Sequence, residues 1–143
     1  INKYSDKILL PADHLVSDFF SEESSLNSQA IDQVNIPNGK VAIDIGPDTI
    51  QLFKDTLSSA KSIIWNGPMG VFEWEKSAVG TKEIGTHIAN LRNVFKLVGG
   101  GDSIAAINKF KLSGFDHIST GGGAMLAFIA YNEFPTLDVI TNS

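Results

Sequence analysis

Phe95-Lys96-Leu97-Val98-Gly99-Gly100-Gly101-Asp102-Ser103-Ile104-Ala105-Ala106 is the stretch whose reading decides the fold. An apolar run stops at three glycines, and an acid and a hydroxyl residue then open a segment of helical character through Ile107. The pattern predicts a buried strand, a tight turn and a helix N-terminus. The first amides of a helix have no intrahelical partner and carry the positive end of its dipole, so glycines there let a phosphate rest directly on backbone N–H groups. Asp102 stands beside them, where a carboxylate could hold Mg²⁺. A second stretch of the same design follows at Phe115-Asp116-His117-Ile118-Ser119-Thr120-Gly121-Gly122-Gly123-Ala124-Met125-Leu126. Two such turns in one chain point to one anionic ligand held from two sides.

Working outward, strands and helices alternate. Lys7 to Leu10 reads as a short strand ended by Pro11-Ala12-Asp13, and residues 21–39 read as a polar surface excursion. Val41 to Ile45 is the next strand, broken by Gly46-Pro47. Pro47 suits a first helical turn, and Ile50, Phe53 and Leu57 recur at amphipathic spacing. Ser62 to Trp65 is a strand running into Asn66-Gly67-Pro68-Met69-Gly70, a turn dense in breakers. Residues 80–91 carry Ile84, Ile88 and Leu91 at helical spacing. This order predicts an α/β fold, a parallel Rossmann-like sheet with helices on both faces, whose ligands sit at the carboxyl ends of the strands. On that reading Asp13, Gly46, Asn66, residues 99–103 and residues 119–123 share one sheet edge.

With 143 residues, 43% hydrophobic and 19% charged, the composition fits one soluble domain. No apolar run approaches the roughly 20 residues that cross a bilayer, and the start has no signal-peptide core, which sets a cytoplasmic location and no membrane partner as the expectation. A net charge of −5 speaks against a nucleic-acid surface. There is no cysteine, hence no thiolate nucleophile and no disulfide framework. Arg92 is the only arginine, although bidentate clamping of anions usually falls to arginine, so the clamp for an anionic second substrate is expected elsewhere. The chain begins at Ile1 with an apolar run almost at once and is read as a piece of a longer protein.

Competing readings of these residues stay open at this level. A glycine triplet alone is as well explained by a structural turn as by phosphate; two triplets, each between a strand and a helix, favour phosphate. A dinucleotide fingerprint fails, because its sixth position falls on Ile104 or Leu126 where glycine or alanine is wanted, and no Walker-type loop is present. Gly101-Asp102-Ser103-Ile104-Ala105 resembles a nucleophile elbow with one glycine replaced, and His117 could serve as base, but a third triad member has no candidate. Asp102 either caps the helix or holds Mg²⁺. Glu73 is either a solvated loop charge or an acceptor for a ribose hydroxyl, and Asp13 and Asp44 either bond loop amides or act catalytically. His14 and His87 lack ligand spacing, and Trp65 and Trp74 read as packing residues.

Taken together, Leu10-Pro11-Ala12-Asp13, Asp44-Ile45-Gly46-Pro47-Asp48-Thr49, Trp65-Asn66-Gly67-Pro68-Met69-Gly70-Val71-Phe72-Glu73, Gly99-Gly100-Gly101-Asp102-Ser103 and Ser119-Thr120-Gly121-Gly122-Gly123-Ala124 resemble the phosphoglycerate kinase family. Their order matches most of its C-terminal, nucleotide-binding domain, which residues 1–143 would then supply, leaving that domain incomplete and the N-terminal substrate domain of a two-domain kinase absent. The resemblance implies reversible phosphoryl transfer between 1,3-bisphosphoglycerate and ADP, giving 3-phosphoglycerate and ATP in glycolysis, by an enzyme that is monomeric when intact. It implies Mg²⁺ on Asp102, nucleotide phosphates of ADP or ATP on the amides of Gly100, Gly101 and Ser103, and a nucleotide site lined by Asn66 and Val71. Glu73 would meet the ribose and Ile43 the base, while Gly101, Gly122 and Gly123 face the transferring group.

The sequence also departs from the family pattern. The family's basic phosphoglycerate site is absent, as is the Gly-Ala-Lys segment with its lysine near the nucleotide phosphates, so this chain alone is expected to be inactive. Met125 replaces a usual serine, and Tyr131-Asn132-Glu133-Phe134-Pro135 departs from the usual Gly-Lys-x-Leu-Pro. The alternative from another class is a stand-alone nucleotide- or phosphate-binding module without catalysis.

Overall fold

The computed structural model describes residues 2–30 and 36–131; the departure noted at residues 132–135 lies outside them. These residues form two compact units, one from the described parts of Ile1–Ser59 and Met69–His87, the other from those of Ala60–Pro68 and Ile88–Ser143.

In the first unit, β1 (Asp13–Ser17) lies between β2 (Asn27–Ala30) and β3 (Val41–Ile45), antiparallel to both. Helix α1 (Pro47–Ser58) follows β3 directly, and most of α2 (Val79–Asn90) belongs here as well. Two expectations change. The strand expected over Lys7 to Leu10 is instead the end of a 3₁₀ segment, Asn2–Lys7, followed by irregular chain in which Ile8, Leu9 and Leu10 are exposed. The strand begins at Asp13, where a half-polar run finds neighbours on both sides, and a run of four apolar residues fixes a strand only if such a neighbour exists. This sheet is also antiparallel, β1 running against both of its neighbours.

The second unit carries the expected architecture. Strands β4 (Ser62–Asn66), β5 (Phe95–Gly99) and β6 (His117–Ser119) form a parallel sheet in the order β4-β5-β6, and α3 (Gly101–Phe110) and α4 (Gly122–Tyr131) pack against β5. The chain is thus an α/β protein with a parallel sheet flanked by helices. Period-two burial in β4 and β5 turns Ile63, Trp65 and Val98 inward, where they meet a core that includes Ile88, Ala106 and Ile107. Each such side chain contributes about 1.5–3 kcal/mol, which outweighs the weak propensity of helices this short.

One inward position of β5 is a cation. Lys96 is buried, and its Nζ donates to the carbonyls of Ala89 and Leu91 at 3.1 and 3.0 Å, where α2 ends. Those carbonyls have no intrahelical partner and sit at the negative end of the helix dipole. The strand therefore supplies the C-terminal cap of a helix. No helix among the described residues is long and apolar enough to cross a membrane.

Candidate functional site

The register of the parallel sheet aligns Asn66 with Gly99 and Gly99 with Ser119, so three strands end in one row. Directly after that row the chain enters α3 and α4. Gly100 has φ +92°, a conformation that L side chains rarely adopt, and its amide donates to the Ser119 carbonyl at 3.1 Å. The first intrahelical bond of α3 runs from Ile104 N to Gly100 O, 3.1 Å, so the amides of Gly101, Asp102 and Ser103 precede the helical ladder. As N-cap residue Gly100 offers no side-chain cap.

Glycine is required again at Gly122, where an added Cβ would lie 2.5 Å from Asn66 Oδ1 and 2.8 Å from Gly100 Cα. The Asn66 amide thus sits against both glycine turns. Around Gly101 and Gly123 there is nothing within 4 Å of an added Cβ, so the backbone at both helix starts is open to a ligand. Met125, the residue in place of the usual serine, lays its thioether over Gly99, 2.3 Å from where a Cβ would stand. It forms the floor of an open apolar groove of about 470 Å³ with Leu97, Phe128 and Ile129.

Ser103 is fully buried, and its Oγ accepts the Gly67 amide at 2.7 Å. That disposes of the nucleophile-elbow reading: the hydroxyl has no access to a substrate, and His117 lies on the exposed strand β6. Ser103 instead fixes the turn after β4, helped by Trp65 Nε1 donating to the Gly67 carbonyl at 2.8 Å. Asp102 is exposed in the first turn of α3. Among the described residues no three His, Cys, Asp or Glu gather as a metal cluster. A lone carboxylate beside open helix amides still suits Mg²⁺, which is commonly held by one or two carboxylates plus the substrate's own phosphates.

In the first unit, Ile43 is buried in β3 and its carbonyl accepts the Val71 amide at 3.0 Å, while Glu73 is exposed in the turn that follows. The structure therefore brings Ile43 and Val71 together in one unit. It brings Asn66, Gly100, Gly101, Asp102, Ser103, Gly122 and Gly123 together in the other. Trp65 is core and Trp74 meets Phe20 at a tilt of 52°, ring centroids 4.6 Å apart, in keeping with the packing reading.

Asp13 and Asp44 are both buried and both bind amides. Asp13 begins β1, yet antiparallel pairing brings it to the carboxyl end of β3, where its carboxylate accepts Asp48 N and Thr49 N at 3.2 and 2.8 Å. It caps α1 from 33 residues before Gly46, whose own position carries no capping side chain. Asp44 Oδ2 accepts Gly80 N, and Oδ1 its neighbour Ile45 N, each at 2.8 Å. Burial raises its pKa from 3.8 to about 6, against the opposing pull of those two amides.

A feature that sequence reasoning missed is a repeated hydroxyl. Thr49, Thr81 and Ser103 are each the third residue of a helix, each fully buried, and each accepts amides from chain remote in sequence. Thr49 Oγ1 holds Ala12 N and Asp13 N at 2.9 Å, and Thr81 Oγ1 holds Met69 N at 3.0 Å. The signal was present as a hydroxyl at a fixed step after each helix start in Pro47-Asp48-Thr49, Val79-Gly80-Thr81 and Gly101-Asp102-Ser103.

Three parallel strands ending in a row, two of them opening through glycine turns into helices, put the second unit in the Rossmann-like class of α/β domains. Residues 1–131 match the family model described as phosphoglycerate kinase. The phosphoglycerate kinase of Borrelia duttonii is 45% identical over 137 residues, covering 95% of this chain and 34% of that protein; that of Mycolicibacterium smegmatis is 44% identical over 144 residues, covering 98% and 35%. The solved phosphoglycerate kinase of Coxiella burnetii superposes with a TM-score of 0.84 at 34% identity, over 96% of this chain and 36% of that one. That of Pyrococcus horikoshii OT3 gives 0.83 at 37% identity, over 98% and 34%. The chain belongs to the phosphoglycerate kinase family, and it spans about a third of the length of the curated relatives it matches.

Proposed function

We propose that residues 1–143 are most of a C-terminal nucleotide-binding domain and supply the Mg-nucleotide side of phosphoglycerate kinase chemistry. The observation that carries this reading is the pair of helix starts at Gly101 and Gly122–Gly123, whose backbone has room for a ligand at Gly101 and Gly123. The phosphates of ADP or ATP lie on the amide of Gly101 and beside Gly100, whose own amide is taken by the Ser119 carbonyl, while the fully buried Ser103 braces the turn and makes no contact with them. Asn66 and Val71 line the nucleotide, Glu73 takes the ribose and Ile43 the base. Asp102 would hold a Mg²⁺ brought with the nucleotide, and that ion would supply charge neutralisation.

The reaction moves a phosphoryl group from the acyl phosphate of 1,3-bisphosphoglycerate to the β-phosphate of ADP. An oxygen of ADP forms the new P–O bond as the bond to the glycerate carboxylate breaks, so no proton need move. Such a transfer asks for alignment and charge stabilisation more than for covalent catalysis. Gly101, Gly122 and Gly123 meet that demand with fixed amide dipoles and the positive ends of two helices aimed at the developing charge. Because one arginine is all this chain contains, the 3-phosphoglycerate side is assigned to polypeptide beyond the third of the relatives' length spanned here. The assembled enzyme works as a cytoplasmic glycolytic monomer, and this chain alone forms no ATP from 1,3-bisphosphoglycerate.

Calorimetric titration with ADP, with and without Mg²⁺, tests the reading. Saturable one-to-one binding that weakens without Mg²⁺ and in Asp102→Asn supports it. Binding indifferent to both, or none at all, refutes it.

A further inference from the structure

Resting on that nucleotide reading, we infer that Thr81 is a positioning residue for the adenosine side of the site: its buried hydroxyl, with Asp44, fixes the segment that presents Val71 and Glu73. Residues 69–73 contain no regular secondary structure, so their backbone groups need partners from elsewhere. Met69 N finds Thr81 Oγ1 at 3.0 Å, Gly70 N reaches the same oxygen at 3.5 Å, and Val71 N finds Ile43 O at 3.0 Å. Three successive amides are thus held by one helix hydroxyl and one strand carbonyl.

The seat beneath them leaves little slack. An added Cβ at Gly70 or at Gly80 would each stand 2.4 Å from Asp44 Oδ1, so loop, helix start and carboxylate are in close contact. Asp44 in turn receives the Gly80 amide at 2.8 Å, one residue before Thr81 in the first turn of α2. Thr81 itself has no exposed surface and cannot touch a ligand. Its effect on binding runs through Val71 and Glu73, and a group fixed before binding spares the ligand the ordering entropy.

The test compares wild type with Thr81→Val, which keeps shape and loses the acceptor, and Thr81→Ser, which keeps the acceptor. Titrations use MgADP and, separately, magnesium pyrophosphate, which carries phosphates and no adenosine. Thr81→Val is expected to weaken MgADP by about tenfold, the scale of one lost hydrogen bond, while changing pyrophosphate affinity less than twofold. Thr81→Ser restores MgADP binding, and in Thr81→Val the Met69 and Gly70 amides exchange with solvent faster than in wild type. An unchanged MgADP affinity in Thr81→Val overturns the inference, as does an equal loss for both ligands, which would signal general destabilisation. Failure of wild type to bind MgADP overturns the nucleotide reading itself and this inference with it.

Discussion

Replacing Asp44 with asparagine isolates the cost of a charge held away from water. The carboxyl is buried, and its pKa rises from 3.8 to about 6 because lost hydration outweighs two amide hydrogen bonds. The sign follows from proton counting: between those values the folded protein holds a proton that the unfolded chain has released, so stability falls as pH rises through this window. Below about 4 both states are protonated and the penalty is absent, while above about 6 it is complete. At about 1.4 kcal/mol per pH unit, the interval corresponds to about 3 kcal/mol. Asparagine keeps the shape and one acceptor but cannot ionise. Its own fixed cost, an NH₂ facing one of the two amides, does not vary with pH and cancels when the pH series of the two proteins are subtracted. Urea denaturation at pH 4.5, 5.5, 6.5 and 7.5 should show wild type losing ground to Asp44→Asn by about 2 kcal/mol across the series, because about 1 kcal/mol of the penalty is already present at pH 4.5, with most of the change below pH 6.5. A difference that stays flat, or one in which wild type gains as pH rises, would refute the reasoning, the latter by showing that the two amides win over burial.

Other consequences follow from the same contacts. Asp13→Ala strips the cap from α1 and leaves the Asp48 and Thr49 amides bare, and urea melts should show a loss of about 2–3 kcal/mol; a loss under 0.5 would contradict the capping role. Gly122→Ala forces a methyl against Gly100 backbone and should cost about 1–3 kcal/mol, whereas Gly123→Ala, with open space around it, should be neutral or stabilise by up to about 1 kcal/mol; thermal melts of the pair decide, and equal effects would be contrary. Lys96→Met removes the donor at the end of α2 and should cost about 1–3 kcal/mol by denaturant titration, with unchanged stability as the contrary result.

The second unit was legible in sequence because its signals are local. A short strand, a glycine triplet and a helix start lie within a dozen residues of each other, twice, and β5-α3 and β6-α4 form where that pattern stands. Val41 to Ile45 and the Pro47 helix were legible for the same reason. The antiparallel sheet was not, because β1 is chosen by neighbours 11 and 29 positions away in register, Val16 with Asn27 and Leu15 with Asp44, and its residues Asp-His-Leu-Val-Ser look no more strand-like than Lys7 to Leu10. The single sheet edge expected for Asp13, Gly46, Asn66 and the glycine turns is in fact two sheets, and Asp13, expected after a strand, starts an antiparallel one at the carboxyl end of β3. At the candidate site the glycines and Asp102 stood out by type. Thr81 and Lys96 did not, since a hydroxyl in a helix or a lysine in a strand declares nothing until the carbonyls and amides it meets are known.

In the proposed function, two glycine-opened helix starts receive the phosphates of a magnesium nucleotide. Amide NMR spectra of the ¹⁵N-labelled chain, recorded as MgADP is added, address it residue by residue. The largest shifts are expected at Gly101, Asp102, Ser103, Gly122 and Gly123, saturating together and needing more ADP to saturate when Mg²⁺ is left out. Saturable shifts confined to other residues, or spectra unchanged at millimolar MgADP, would contradict it.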